Sequence, residues 1–194
     1  MPRSFDYFFD FASPYTYLCD SQIPALVERT GAEVIYKPMV LGAVMVGAGN
    51  SPPSTVPAKG AYMAQDLPRW LKRYGLPFEF NPHFPVRTIF ALRCALVAME
   101  EGGFDDLKRE VFRAVWAEKT DPNDVEAMKP VIARAGLDPD HVIARTGEQP
   151  IKDQLKKNTD EAIERGVFGA PTIFVGDEMF FGNDRLDFVE EALK

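Results

Sequence analysis

The residues of this 194-residue chain that could do chemistry are few and spread out. The first is Ser13, in the run Phe-Asp-Tyr-Phe-Phe-Asp-Phe-Ala-Ser-Pro-Tyr-Thr from Phe5 to Thr16. An apolar stretch stops at Ser13-Pro14 and a helical pattern follows, so Ser13 falls at the N-cap and Pro14 in the first turn, where each is favoured. Capping accounts for the serine by itself. The same spot is the positive end of a helix dipole, where a fixed hydroxyl could hold an anion such as a thiolate. Both readings stand on this stretch alone.

Four other places could meet a small polar ligand. Gly169-Ala170-Pro171-Thr172 carries an X-Pro bond ahead of a strand. A cis Pro171 would leave the backbone N–H and C=O of Ala170 free for an extended peptide, whereas a trans proline would merely open an edge strand. In Gly182-Asn183-Asp184-Arg185, Asn183 or Asp184 would cap the last helix; free N–H groups there suit a carboxylate, and Asp184 suits an ammonium. Lys59 is a point charge for a carboxylate or a solvated surface lysine. Asn50 is a turn former or a ligand donor.

Composition narrows the classes. Hydrophobic residues make up 46% of the chain, enough for a sizeable core, and the formal net charge of −7 argues against a nucleic-acid or membrane-surface partner. Cys19 and Cys94 form no Cys-x-x-Cys pair, and two His with two Cys placed singly make a zinc site or other metal site an unpromising expectation. No apolar run approaches the ~20 residues of a membrane span, and the N-terminus lacks a secretory apolar core. A cytoplasmic protein is expected.

The elements that must position these groups follow from periodicity. Phe5–Phe11 reads as a strand buried on both faces, and the helix after it should be divided at Pro24. Glu33–Met39 is a second strand, completing a parallel crossover unit. Leu41–Gly47 is a short helix or turn, and Gly49–Pro57 is a proline-punctuated loop. Helices are expected over Lys59–Tyr74, distorted at Pro68, then Thr88–Glu101 and Asp105–Glu118. Another should start from Asp121 or Asn123 and end at Gly136, followed by Asp138–Thr146 and Gln149–Arg165. After Gly166 come a strand from Pro171 to Val175, a turn at Gly176-Asp177-Glu178, a strand Met179–Phe181 and a closing helix Asp184–Leu193. The expected fold is α/β: a thioredoxin-like domain made of residues 1–39 and 166–194, with an all-helical domain, residues 40–165, inserted between its βαβ and ββα halves.

Taken in order, Ser-Pro-Tyr-Thr, Gly-Asn-Ser-Pro-Pro, Val-Pro-Ala-Lys-Gly, Val-Phe-Gly-Ala-Pro-Thr and Phe-Phe-Gly-Asn-Asp-Arg-Leu resemble one family over nearly the whole chain. It is that of the glutathione-dependent 2-hydroxychromene-2-carboxylate isomerases and kappa-class glutathione transferases, relatives of the disulfide-oxidoreductase branch of the thioredoxin fold. The resemblance implies that Ser13 binds and activates the glutathione sulfur. It implies that Asn50 and Lys59 contact the tripeptide and that Ala170, before a cis Pro171, pairs with its cysteinyl backbone. Asn183 and Asp184 would hold the γ-glutamyl end, with Arg185 beside them.

The implied reaction is isomerisation between a hydroxychromene carboxylate and an o-hydroxybenzylidenepyruvate, by reversible addition of the thiolate to an unsaturated carbon. The alternatives are transfer of glutathione to an electrophile, and a thioredoxin-fold binding protein without catalysis. The acceptor would be a small aromatic or electrophilic molecule lying between the domains, with Phe84, Trp70 and Trp116 as candidate aromatic walls, and the protein a homodimer. One departure bears on the substrate. Some isomerases carry basic residues after the second strand, where this chain has Gly42-Ala43-Val44-Met45; Arg87 is the candidate replacement partner for a substrate carboxylate.

Overall fold

The computed structural model describes residues 3–194, so the first two residues of the expected 1–39 segment lie outside the described residues. Four strands form one sheet in the order β2-β1-β3-β4. They are β1 (Ser4–Phe9), β2 (Glu33–Pro38), β3 (Thr172–Val175) and β4 (Glu178–Phe181). β1 runs parallel to β2 in the register Ser4 with Glu33 through Phe9 with Pro38, and antiparallel to β3. β3 and β4 form an antiparallel hairpin around Gly176-Asp177, so Glu178, expected in the turn, opens the strand instead.

The alternation of β1 explains its composition. Phe5, Tyr7 and Phe9 enter the larger core on one face, and Phe8 enters a smaller cluster with Met39, Val44, Ala162, Val167 and Phe174 on the other. A strand covered on both faces has no solvent side to keep polar.

Between β1 and β2 the chain forms α1 (Pro14–Asp20) and α2 (Ile23–Thr30), and the division falls where Pro24 is accepted, in the first turn of α2. α3 (Leu41–Gly47) follows β2; a 3-10 turn at Pro53–Thr55 then leads into α4 (Pro57–Tyr74), which runs unbroken past Pro68. Next come α5 (Ile89–Glu101), α6 (Phe104–Ala117), α7 (Val125–Arg134), α8 (Pro139–Thr146) and α9 (Gln149–Glu164). The cap of α7 is Asp124, whose carboxylate accepts from Glu126 and Ala127 N–H, not Asp121 or Asn123. Asp121 instead closes its own turn through Asn123 N–H, a local alternative open to aspartate. The last segment is a 3-10 turn, Asn183–Arg185, followed by α10 (Leu186–Ala192).

The sheet and the intervening helices share one contiguous core, in which Phe9, Phe11 and Tyr17 pack with Phe112 and Trp116 of α6. One buried ion pair crosses this junction. Lys108 of α6 lies 2.9 Å from Asp20 at the end of α1, donates to the Tyr36 hydroxyl at 2.9 Å, and sits 4.3 Å over the Tyr36 ring. Nearby oxygens raise the lysine's pKa against the opposing effect of burial.

Candidate functional site

Ser13 caps α1 as its sequence position requires. Its Oγ accepts from Thr16 N–H at 3.1 Å, and its backbone is extended at φ −99°, ψ 119°. The hydroxyl proton goes to the Ala170 carbonyl oxygen, 3.1 Å away across 157 residues of sequence. The Ala170–Pro171 peptide is cis. The serine therefore takes one of the two lone pairs of the Ala170 carbonyl oxygen and leaves the other for a further donor.

Ser13 lies in a cleft of about 780 Å³ between the α1 N-terminus, α3, α4, the segment around Phe84 and the turn at Asn183. Asn50, Lys59, Ala170, Pro171, Asn183, Asp184 and Arg185 line it with Ser13, so residues scattered through the sequence meet on one surface. Their states differ. Asn50 is already engaged: its amide donates to Phe168 O at 2.8 Å and its side-chain oxygen accepts from Ser51 N–H. It straps the proline loop onto the segment that carries Ala170. Lys59 is exposed in the first turn of α4, and no ion pair among the described residues engages it.

Asn183 and Asp184 do not cap α10 with their side chains; they form the 3-10 turn before it. The Asp184 carboxylate accepts from Arg185 Nη1 at 2.6 Å. Gly182 enters this turn at φ +108°, a backbone conformation that favours glycine. Asn183 is 4% exposed, and its amide nitrogen has no hydrogen-bond partner. A buried unpartnered donor costs about 1–3 kcal/mol, which a ligand acceptor would relieve. Donors at Asn183 and Lys59, a carboxylate at Asp184 and a hydroxyl at Ser13 match a molecule with carboxylates, an ammonium and a thiol, so the residues present fit glutathione.

Sequence reading missed four contributors. Tyr15 and Tyr62 both donate to Asp66 of α4, at 3.3 and 3.2 Å, and all three line the cleft. Burial, then Asp66, pushes the Tyr15 phenol up to about 12. Met63, Asp66 and Trp70 recur at three and four along α4, a signal that marked a face without saying what it faced. The fourth is Asp10, 2% exposed, which accepts from Ala12 N–H, Leu41 N–H and the Thr88 hydroxyl at 3.0, 2.8 and 2.5 Å. It ties the ends of β1, β2 and the loop before α5 together directly behind Ser13. Burial pushes this carboxyl up while the three donors pull it down.

Two expected residues lie elsewhere. Trp116 is wholly buried, stacked on Phe78 and donating its indole N–H to Phe11 O at 2.9 Å, because an interior ring of this size fills the junction between sheet and helices. Arg87 is exposed and does not line the cleft, although its neighbours Phe84, Pro85 and Val86 do; only Val86 of the pair turns inward. Phe84 and Trp70 are on the cleft wall. The cysteines take no part. Cys19 and Cys94 are buried, and burial pushes the first thiol far up and the second up to about 12, away from the thiolate that redox chemistry needs.

A family model described as a DSBA-like thioredoxin domain matches residues 5–194. The 2-hydroxychromene-2-carboxylate isomerase of Sphingobium xenophagum is 34% identical over 196 residues, covering 100% of this chain and 99% of that protein. Glutathione S-transferase kappa 1 of Caenorhabditis elegans is 30% identical over 211 residues, covering 100% and 92%. A solved structure of 2-hydroxychromene-2-carboxylate isomerase superposes with a TM-score of 0.88 at 30% identity, over 98% of this chain and 94% of that one. The chain belongs to the DsbA-like thioredoxin family and, within it, to the group of enzymes that includes the 2-hydroxychromene-2-carboxylate isomerases and the kappa glutathione transferases.

Proposed function

We propose that the protein is a glutathione-dependent isomerase, interconverting a hydroxychromene carboxylate and an o-hydroxybenzylidenepyruvate or a close congener of that pair. The observation that carries this reading is the pairing, in one cleft, of a capping serine hydroxyl with a buried, unpartnered Asn183 amide. Bound glutathione supplies a thiolate that adds reversibly to an unsaturated carbon, so that a double bond becomes single, turns and re-forms with no net redox change.

The chain's own groups prepare that event. The α1 N-terminus offers partial positive charge to the sulfur, and Ser13 can turn its proton from Ala170 O to the anion while its oxygen still accepts from Thr16 N–H. Ala170 O accepts the cysteinyl N–H on a lone pair that Ser13 does not use. Lys59 meets one carboxylate, Asn183 and Arg185 the other, and Asp184 the ammonium. Asn50 acts through the loop it straps to Phe168 O.

A second reading, transfer of glutathione to an electrophile, is favoured by one observation: Arg87, the expected partner of a substrate carboxylate, is off the cleft. Both readings take the protein as a cytoplasmic homodimer. The test is a calorimetric and ultraviolet titration with glutathione. Heat of binding with a thiolate band supports the reading; no binding to the wild type ends it.

A further inference from the structure

Asp10 is buried just past the end of β1, and the hydrogen bonds that satisfy its carboxyl come from neutral groups. Burying such a group is costly unless hydrogen bonds offset it. Its partners show what it holds. Leu41 N–H opens α3, and Thr88 is the N-cap residue of α5. Neither helix is capped locally: Val40, before α3, makes no side-chain cap bond, and Thr88 makes none to its own helix. A threonine at an N-cap ordinarily accepts from an N–H two or three residues on. Here its hydroxyl donates to Asp10 instead, at 2.5 Å. The third partner, Ala12 N–H at 3.0 Å, precedes Ser13. One carboxyl group therefore fixes where two helices start relative to the serine.

Both tethered segments reach the cleft. α3 brings Leu41 and Met45, and the segment before Thr88 brings Phe84 and Val86. These four side chains have nothing to offer the carboxylates or the ammonium of a tripeptide, which fall to Lys59, Asn183, Asp184 and Arg185. What they can cover is an aromatic ring. We propose that Asp10, with Thr88, is a positioning residue for the acceptor. It holds Leu41 and Phe84–Val86 at a set spacing from Ser13, and that spacing governs the fit of the aromatic body joined to the sulfur, not the affinity for the tripeptide. The inference rests on the glutathione reading and deepens it. It concerns the ring that isomerisation and transfer to an aromatic acceptor share, and it holds for acceptors with or without a carboxylate.

The experiment is a binding measurement, free of turnover. S-methylglutathione and S-benzylglutathione carry the same tripeptide, have no free thiol and differ by one phenyl ring on the sulfur substituent. The wild type should bind the benzyl compound at least about tenfold more tightly by calorimetry, the gain expected from burying a ring. Thr88→Val keeps the shape of the threonine and removes the donated proton. Asp10→Asn keeps the shape of the aspartate and sets an amide NH2 against a backbone N–H. Each should cut the benzyl preference about three- to fivefold and leave the affinity for S-methylglutathione within about twofold of the wild type. Thr88→Ser, which restores the hydroxyl, should keep the wild-type preference. Should Asp10→Asn not fold, the two Thr88 variants decide. An unchanged preference in Thr88→Val, an equal loss of both ligands, or a preference lost in Thr88→Ser as well overturns the positioning role. A wild type that binds the two ligands alike overturns it too, while leaving the glutathione reading intact. Failure of both ligands to bind the wild type overturns the glutathione reading and the inference built on it.

Discussion

Replacing Ser13 by alanine removes one oxygen that does two things at once. The hydroxyl accepts from Thr16 N–H and donates to Ala170 O, each at 3.1 Å. In the thiolate complex the donated bond changes partner, from a neutral carbonyl to an anion. A hydrogen bond to a charged group contributes about 1.5–3 kcal/mol and a neutral one about 0.5–1.5, so the exchange favours the thiolate by about 1–1.5 kcal/mol. That is about one pKa unit. The bound thiol in Ser13→Ala should therefore titrate about one unit higher, with about tenfold less thiolate at any pH below both values. The helix dipole remains, so the thiol should still titrate below its ordinary range of about 8.5. The assay is the ultraviolet thiolate band of bound glutathione followed against pH. Loss of the cap should separately cost about 1 kcal/mol of stability. Ser13→Gly separates the two effects: glycine is nearly as good an N-cap, so stability should be largely kept while the thiol shifts as in the alanine variant. A bound-thiol pKa that moves by less than about 0.3 unit in both variants would refute the role given to Ser13.

Asn183→Leu should weaken glutathione binding about tenfold without lowering thermal stability, because the amide it removes has no partner in the free protein; a matched loss of stability and affinity would contradict that. Lys59→Met should weaken binding roughly two- to fivefold at low salt and by less at high salt, since an exposed charge is screened; calorimetry at two ionic strengths decides. Lys108→Met leaves Asp20 buried without its cation and should cost about 3–5 kcal/mol, a drop in Tm of about 10 °C or more by calorimetry, with most of it regained in Lys108→Met/Asp20→Leu. The Tyr15 phenol, at about 12 in the folded protein against an ordinary value near 10, favours its protonated form on folding. Its contribution to stability is complete below about pH 10 and is lost as pH rises toward 12; denaturation across that window should show a shallower decline in Tyr15→Phe.

What could be seen in the sequence, and what could not, follows from the range of each interaction. β1, the stop at Ser13-Pro14, the division at Pro24, the end of α4 at Tyr74 and the start of α8 after Asp138 are local events, set by residues within a turn of one another, and they are legible in the sequence. Asp124 was passed over because Asp121, Asn123 and Asp124 are all competent caps, and only the packing of Met128, Val131 and Ile132 into the core chooses the phase of the helix. The site followed the same rule. Ser13 and Ala170 are 157 residues apart, and the resemblance of ordered motifs, not periodicity, brought them into one reading. Asp10 had no such help. As one of two aspartates interrupting an aromatic strand it looked like Asp6, yet Asp6 reaches the Arg165 side chain while Asp10 binds backbone and hydroxyl groups 31 and 78 residues away. Arg87 fails for the complementary reason. Its charge invited a functional role, but position 87 points outward between two inward residues, Val86 and Thr88, whose burial fixes the phase of the segment. A charge read from sequence says what a residue could bind; the apolar neighbours on either side decide whether it faces the ligand. In this cleft they turn the cation away and leave hydrocarbon beside the serine.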